Sequence, residues 1–183
     1  DEGSYYERIL ASGEDTCIDD EIPFDIPDSW QWSRVSAICL LIDGTKKKGR
    51  EVRLDAKYLR NKSAGEYIDS GRFVTEGDNI ILVDGENSGE VFPVPHDGYM
   101  GSTFKQLWIN GTMSLPYVLY FIQSYRTLLR NSKVGAAIPH LNKSLFYNLL
   151  FPIPPLEEQE RIVARIEEMM RYTDRLKSFT NPD

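Results

Sequence analysis

The side chains that could do catalytic chemistry in this chain are few and poorly grouped. Asp55 and Lys57 form an Asp-x-Lys pair, and Asp43, Glu51 and Asp78 are further carboxylates from which a magnesium-dependent nuclease site could be assembled. Such a site needs clustered oxygen ligands, and no pattern in the sequence orders these acids on adjacent strands, so this reading ranks last. His96 lies in a Val-Pro-His-Asp-Gly turn, His140 follows a proline, and no Gly-x-Ser-x-Gly elbow is present to support serine-histidine chemistry. Cys17 and Cys39 lack the short spacing of a zinc site. No metal and no cofactor is expected.

Charge points elsewhere. The chain of 183 residues carries a formal net charge of -7 and has a pI near 5.0, which argues against simple coating of nucleic acid. The acid is uneven: Asp1, Glu2, Glu7, Glu14, Asp15, Asp19, Asp20, Glu21, Asp25 and Asp28 crowd the first part of the chain. The remainder is nearer neutral and contains one short basic cluster, Lys46, Lys47, Lys48 and Arg50, which by charge pattern alone reads as a solvated loop.

The composition, 41% hydrophobic and 27% charged, suits one globular domain with an appendage. There is no apolar run near the roughly 20 residues of a membrane helix and no signal-peptide pattern, so a cytoplasmic protein with reduced thiols and no membrane contact is expected. Residues 1–21 read as an acidic arm or connector with one short helical possibility around Tyr5 to Leu10. From "EIPFDIPDSW" the body begins: Ile22, Phe24 and Ile26 alternate as in an entry strand, to be pinned by Trp30 and Trp32. Val35 to Ile42 could be helix or strand. Apolar runs at Phe73-Val74, Ile80 to Val83, Val91 to Val94 and Phe104 to Ile109 are separated by glycine turns and read as strands.

Ser114 and Pro116 open a helix whose apolar positions continue to Leu129, with Arg126 and Arg130 toward its end. Gly135, Ala136 and Ala137 leave room for a close approach to the backbone. Asn142 starts a short helical segment, and an extended run follows from Leu149 to Ile153. The fold class is therefore α/β of the α+β kind: a mainly antiparallel twisted sheet with short helices over residues 22–154, then a protruding long coiled-coil helix over 155–179.

That last helix has its own pattern. Pro152, Pro154 and Pro155 hold the chain extended up to its start, where Glu157 and Glu158 suit the positive helix end. Gln159, Ile162, Ile166, Met169, Thr173 and Leu176 then step by three and four, the spacing of a coiled-coil seam. Such a stripe suits pairing with another helix; the alternative is a helix folded back on its own body.

Three stretches in this order, "EIPFDIPDSWQW", "GDNIILVDGENSGE" and "VGAAIPHLNKSLFYNLLFPIPPLEEQERIV", resemble the target-recognition half of the DNA-specificity subunit of type I restriction-modification enzymes. The signature at Pro155, Leu156, Glu158 and Gln159 is the most specific part. The resemblance implies a non-catalytic reader of one half of a bipartite site in double-stranded DNA. It implies a spacer helix that serves as a ruler and as a platform for methyltransferase (modification) subunits, with a restriction subunit joining for cleavage. The methyl donor would belong to the partner. The usual subunit has two recognition domains and two such helices, and this chain has one of each, so a fragment or a half-subunit that pairs with a second copy is expected.

Under that resemblance, Lys46, Lys47, Lys48 and Arg50, then Lys105 and Lys133, are the candidates for phosphate contact. Asn87, Ser88, Tyr99, Ser102 and Thr103, in the glycine-turn region, are the candidates for contact with base edges or phosphates. Pro155, Leu156, Glu158, Gln159, Ile162, Ile166, Met169, Thr173 and Leu176 are those for helix pairing or subunit docking. A module that dimerises through the helix and binds another protein is the competing reading.

Overall fold

The computed structural model describes residues 3–135 and 139–180. In chain order the elements are β1 (Tyr6–Ile9), β2 (Glu14–Cys17), β3 (Gln31–Arg34), β4 (Cys39–Ile42), β5 (Thr45–Leu54), α1 (Ala56–Leu59), β6 (Tyr67–Val74), β7 (Asn79–Leu82), β8 (Val91–Pro93), β9 (Gly98–Met100) and β10 (Phe104–Ile109). Then come α2 (Leu115–Ser124), α3 (Arg126–Asn131), α4 (Lys143–Asn148), β11 (Leu150–Ile153) and α5 (Leu156–Thr180). The class is mixed α/β, and every strand pair but one is antiparallel.

A four-stranded sheet, β4-β10-β7-β8, is the wall between two cores. Because successive strand residues face opposite ways, Ile81, Val83 and Leu107 enter one core while Ile80, Leu82 and Phe104 enter the other. The first core is closed by α2, α4, β11 and the start of α5, through Val118, Ile122, Phe146, Phe151 and Val163. The second is closed by Val52, Leu54, Val74 and Met100 from a small closed barrel in which β5, β6 and β9 each pair with the other two.

Several expectations are corrected. Residues 5–10 form no helix: β1 and β2 make an antiparallel hairpin, and the Ser12-Gly13 turn bonds back to the Ile9 carbonyl. The hairpin lies on the body, where Arg34 bonds Glu7 and Glu21, each at 2.7 Å, and the Asn148 carbonyl at 2.8 Å. Ile22 to Ile26 forms no strand, because Pro23 and Pro27 each lack a ladder donor. The body's first strand is β3, paired with β11. The two tryptophans do pin this region: Trp30 Nε1 donates to Glu158 at 3.0 Å, and Phe24 packs on Trp32 with ring centroids 5.1 Å apart. Val35 to Ile42 divides into one 3-10 turn and β4. The helix opened by Ser114 breaks at Tyr125, giving α2 and α3.

The expected helix at Asn142 is present, and its Oδ1 accepts the Leu145 N–H at 3.0 Å. Ala136 and Ala137 lie outside the described residues.

Candidate nucleic-acid interface

The basic cluster is not a loop. Lys46, Lys47, Lys48 and Arg50 belong to β5, which runs antiparallel to β6; residues 67–71 of β6 pair with β5 alone among the described residues, a two-stranded ribbon, while Arg72 to Val74 also pair with β9. The register pairs Lys46 with Arg72, Lys47 with Gly71 and Lys48 with Ser70. Alternation therefore puts Lys46, Lys48, Ser70 and Arg72 on one face of the ribbon and Lys47, Gly71 and Phe73 on the other. A bulge follows, with one extra residue between Lys48 and Glu51, and Gly49 takes a φ of 131° there. Bulges of this kind bend a strand and re-aim its side chains.

Lys46, Lys47, Lys48 and Arg50 are exposed, and none of the four enters an ion pair among the described residues, whereas Arg53, farther along β5, bonds Glu66 at 2.6 Å. Lys47 Nζ lies 3.6 Å from the Phe73 ring centroid, and the Arg50 guanidinium is 5.7 Å from that of Tyr67. Aromatic faces attract cations in this arrangement. A groove of about 400 Å³ is lined by Lys46, Lys47, Lys48, Ser70, Gly71 and Arg72. Beside it, the Asp43 carboxylate bonds both Arg72 and Lys105. These two cations hold the Asp43 carboxyl below the usual carboxylate range, Lys105 contributing most.

The remaining candidates separate sharply. Tyr99 is fully buried beneath the ribbon; its hydroxyl donates to the Gly49 carbonyl at 2.8 Å, and burial is the main cause that pushes its phenol up. Its ring explains Gly71, since a Cβ there would stand 2.7 Å from Tyr99 carbons. Ser88 is also fully buried, and its hydroxyl donates to the Gly85 carbonyl at 2.7 Å to close a turn. In this conformation neither hydroxyl is a surface group. Asn87 is half-buried near that turn, Ser102 is exposed, and Thr103 lends its carbonyl to the amides of Val83 and Asp84. Lys105 is committed to Asp43, and Lys133 to Glu86 at 2.8 Å. Lys133 is the main cause that lowers the Glu86 carboxyl. The structure thus gathers the β5 cations, adds Ser70 and Arg72, and leaves Lys133 and the Asn87 turn outside the groove. Sequence reasoning missed Arg72 because it enters the cluster only through strand register.

Of the carboxylates that a magnesium site could draw on, Asp43, Asp55 and Asp78 are engaged within the fold. Asp55 Oδ1 caps α1 by accepting the amides of Lys57 and Tyr58, both at 2.9 Å. Asp78 accepts the Thr75 amide at 2.9 Å. His96 meets the Tyr58 hydroxyl at 2.6 Å and His140 meets Asp84 at 2.6 Å. Among the described residues no three His, Cys, Asp or Glu side chains could hold a metal ion.

The candidates on α5 divide along its length. Gln159 is 2% exposed; its Oε1 accepts the Ser114 amide at 3.0 Å and its Nε2 donates to the Pro154 carbonyl at 2.9 Å. Glu158 is held by Trp30, Val163 is buried, and Ile162 and Ile166 are half-buried. This first stretch packs on α2 and completes the body's own core, which corrects an outward role for Gln159. Farther on, Met169, Thr173 and Leu176 are exposed, Leu176 at 66%. Pro155 and Leu156 are exposed at the helix start. No described helix is long and apolar enough to cross a membrane.

The described residues form a mixed α/β body that displays exposed cations on the paired strands β5 and β6 and ends in the long helix α5. The model of the type I restriction modification DNA specificity domain matches residues 27–182, and the chain belongs to that family. It is 31% identical over 155 residues to the MjaVIII specificity subunit of Methanocaldococcus jannaschii, covering 78% of this chain and 36% of that relative. The EcoAI specificity subunit of Escherichia coli is 23% identical, over 87% of this chain and 31% of its own. The chain thus spans about a third of the length of these relatives. The fold is similar to the crystal structure of the HsdS subunit from Thermoanaerobacter tengcongensis, with a TM-score of 0.66, 21% identity, and coverage of 87% of this chain and 42% of that one.

Proposed function

We propose that this chain is a non-catalytic DNA-recognition module of a type I restriction-modification complex, reading one half of a bipartite site. The observation that carries this reading is the exposed set Lys46, Lys47, Lys48 and Arg50, in no ion pair among the described residues, on a β5-β6 ribbon, an element that the DNA major groove admits. Lys46, Lys47, Lys48 and Arg50 contact phosphates and set register, with Ser70 and Arg72 beside them. Residues 22–154 form the reading body, 1–21 an acidic attachment to it, and 155–179 the spacer helix.

The exposed part of α5, with Met169, Thr173 and Leu176, pairs with a second helix, supplied by another recognition domain or a second copy. Modification subunits dock on the paired helices, and a restriction subunit joins them. Two identical copies related by a two-fold axis would read an interrupted palindrome.

Duplex-DNA binding measured against salt tests the reading. Reversing Lys46, Lys47, Lys48 and Arg50 to Glu should abolish binding while leaving the circular-dichroism spectrum unchanged. Removing one phosphate contact should reduce the slope of log affinity against log salt by roughly 0.9. Unchanged binding by the reversed variant would overturn the assignment.

A further inference from the structure

The ribbon contains an arrangement that its fold alone does not require. Lys46 stands directly opposite Arg72, with Lys48 next on the same face. Like charges facing each other across an antiparallel pair are destabilising. One carboxylate relieves the repulsion: Asp43 Oδ1 accepts from Arg72 Nη1 and from Lys105 Nζ, and the Asp43 carbonyl lies 3.4 Å from the same Nη1. Arg72 is thereby tethered through one nitrogen. Its Nε and Nη2 have no hydrogen-bond partner among the described residues, and the side chain remains 39% exposed at the groove.

Lys46, Lys47, Lys48 and Arg50 have no such carboxylate tether among the described residues, so they are suited to phosphates, where charge matters more than angle. Arg72 differs from them. A guanidinium held at one end with its other N–H groups available has a fixed plane, and a fixed plane is what bidentate recognition of a paired acceptor needs. In the major groove the paired acceptors on one base are guanine O6 and N7, which arginine reads more often than any other specific contact.

We infer that Arg72 is a specificity-determining residue that recognises guanine in the major groove, with Asp43 as its positioning residue. This deepens the function proposed above and rests on it. Lys105 shares the Asp43 oxygen, so it helps fix that carboxylate and is not itself a base reader. The inference assigns sequence discrimination to β6 and leaves the β5 cations with sequence-independent affinity.

The test is selection of bound duplexes from a randomised library by the full chain, by Arg72→Lys and Asp43→Asn variants, and by a Lys46→Glu/Lys48→Glu variant. Arg72→Lys keeps the charge and loses the fork. It should lose affinity for duplexes that carry the guanine while holding its affinity for the others, so that a guanine preference of about 10-fold shrinks at one position. Replacing that guanine by 7-deazaguanine should weaken the unaltered chain by about the same factor and Arg72→Lys by clearly less. Asp43→Asn should blunt the same preference, and no other, without changing the thermal midpoint by more than a few degrees. If Arg72→Lys selects the same sequences as the unaltered chain while Lys46→Glu/Lys48→Glu loses binding, the inference fails and the DNA-binding reading stands. If Lys46→Glu/Lys48→Glu binds as well as the unaltered chain, both fail together.

Discussion

Gln159 shows how one side chain joins parts of the chain that are distant in sequence. A buried amide must satisfy both its oxygen and its nitrogen. Gln159 does so by accepting the amide of Ser114, the N-cap of α2, and donating to the carbonyl of Pro154 just before its own helix. Gln159→Ala would strand both backbone groups, and each unsatisfied buried group costs about 1–3 kcal/mol. Urea denaturation should show a loss of at least that size with no change in slope, whereas Glu160→Ala, on the exposed side, should be near neutral. The two thiols differ in the same way. Cys39 is buried, which pushes its thiol up to about 12, while Cys17 is exposed. Iodoacetamide at pH 8 should therefore label Cys17 in the folded chain and reach Cys39 only after denaturation.

The elements vary in how far the sequence announces them. A strand with a continuous apolar run between glycine turns, such as β7, was readable because both of its faces are buried, Ile81 in one core and Ile80 and Leu82 in the other. The start of α5 was readable from Pro154 and Pro155. The β1-β2 hairpin was not, since its strands are largely exposed and carry no apolar alternation. The ribbon was misread for a similar reason: a strand of "TKKKG" has no core face, and only pairing with β6 makes it a strand. Of the candidate site, the four cations were legible as charge. Tyr99 and Ser88 were not legible as buried groups, because glycine turns look the same whether the flanking side chains point inward or outward.

The hairpin also carries a pH dependence. The Glu21 carboxyl lies below the usual range chiefly because Arg34 bonds it, and Asp19 lies low chiefly through the Tyr5 amide, which donates to it at 2.6 Å. Groups with depressed folded values stabilise the closed hairpin above the ordinary carboxylate pKa and lose that contribution as pH falls through the folded values. The protection factors of residues 6–17, corrected for the intrinsic slowing of amide exchange in acid, should fall on acidification from pH 5 to 3 before those of the central sheet do. Simultaneous exchange of both would contradict this order.

At the scale of the molecule, the β4-β10-β7-β8 wall makes the two cores interdependent. Leu54 belongs to the core under the ribbon and Leu129 to the core under the helices, and both are fully buried. Truncating either to Ala should cost about 2–5 kcal/mol. Because the sheet is common to both cores, each substitution should lower one shared unfolding midpoint, seen alike by tryptophan fluorescence and by circular dichroism. Two separated transitions would show that the halves fold independently.

The same architecture bears on how such a protein can change over generations. Lys46, Lys48, Ser70 and Arg72 belong to neither core, although the ribbon that carries them is anchored by residues that do. Substitution at the distal ribbon therefore leaves the packed interior and the course of α5 undisturbed. Under the proposed function, a lineage could drift to a new target while its stability stays above threshold, and α5 need not evolve in step.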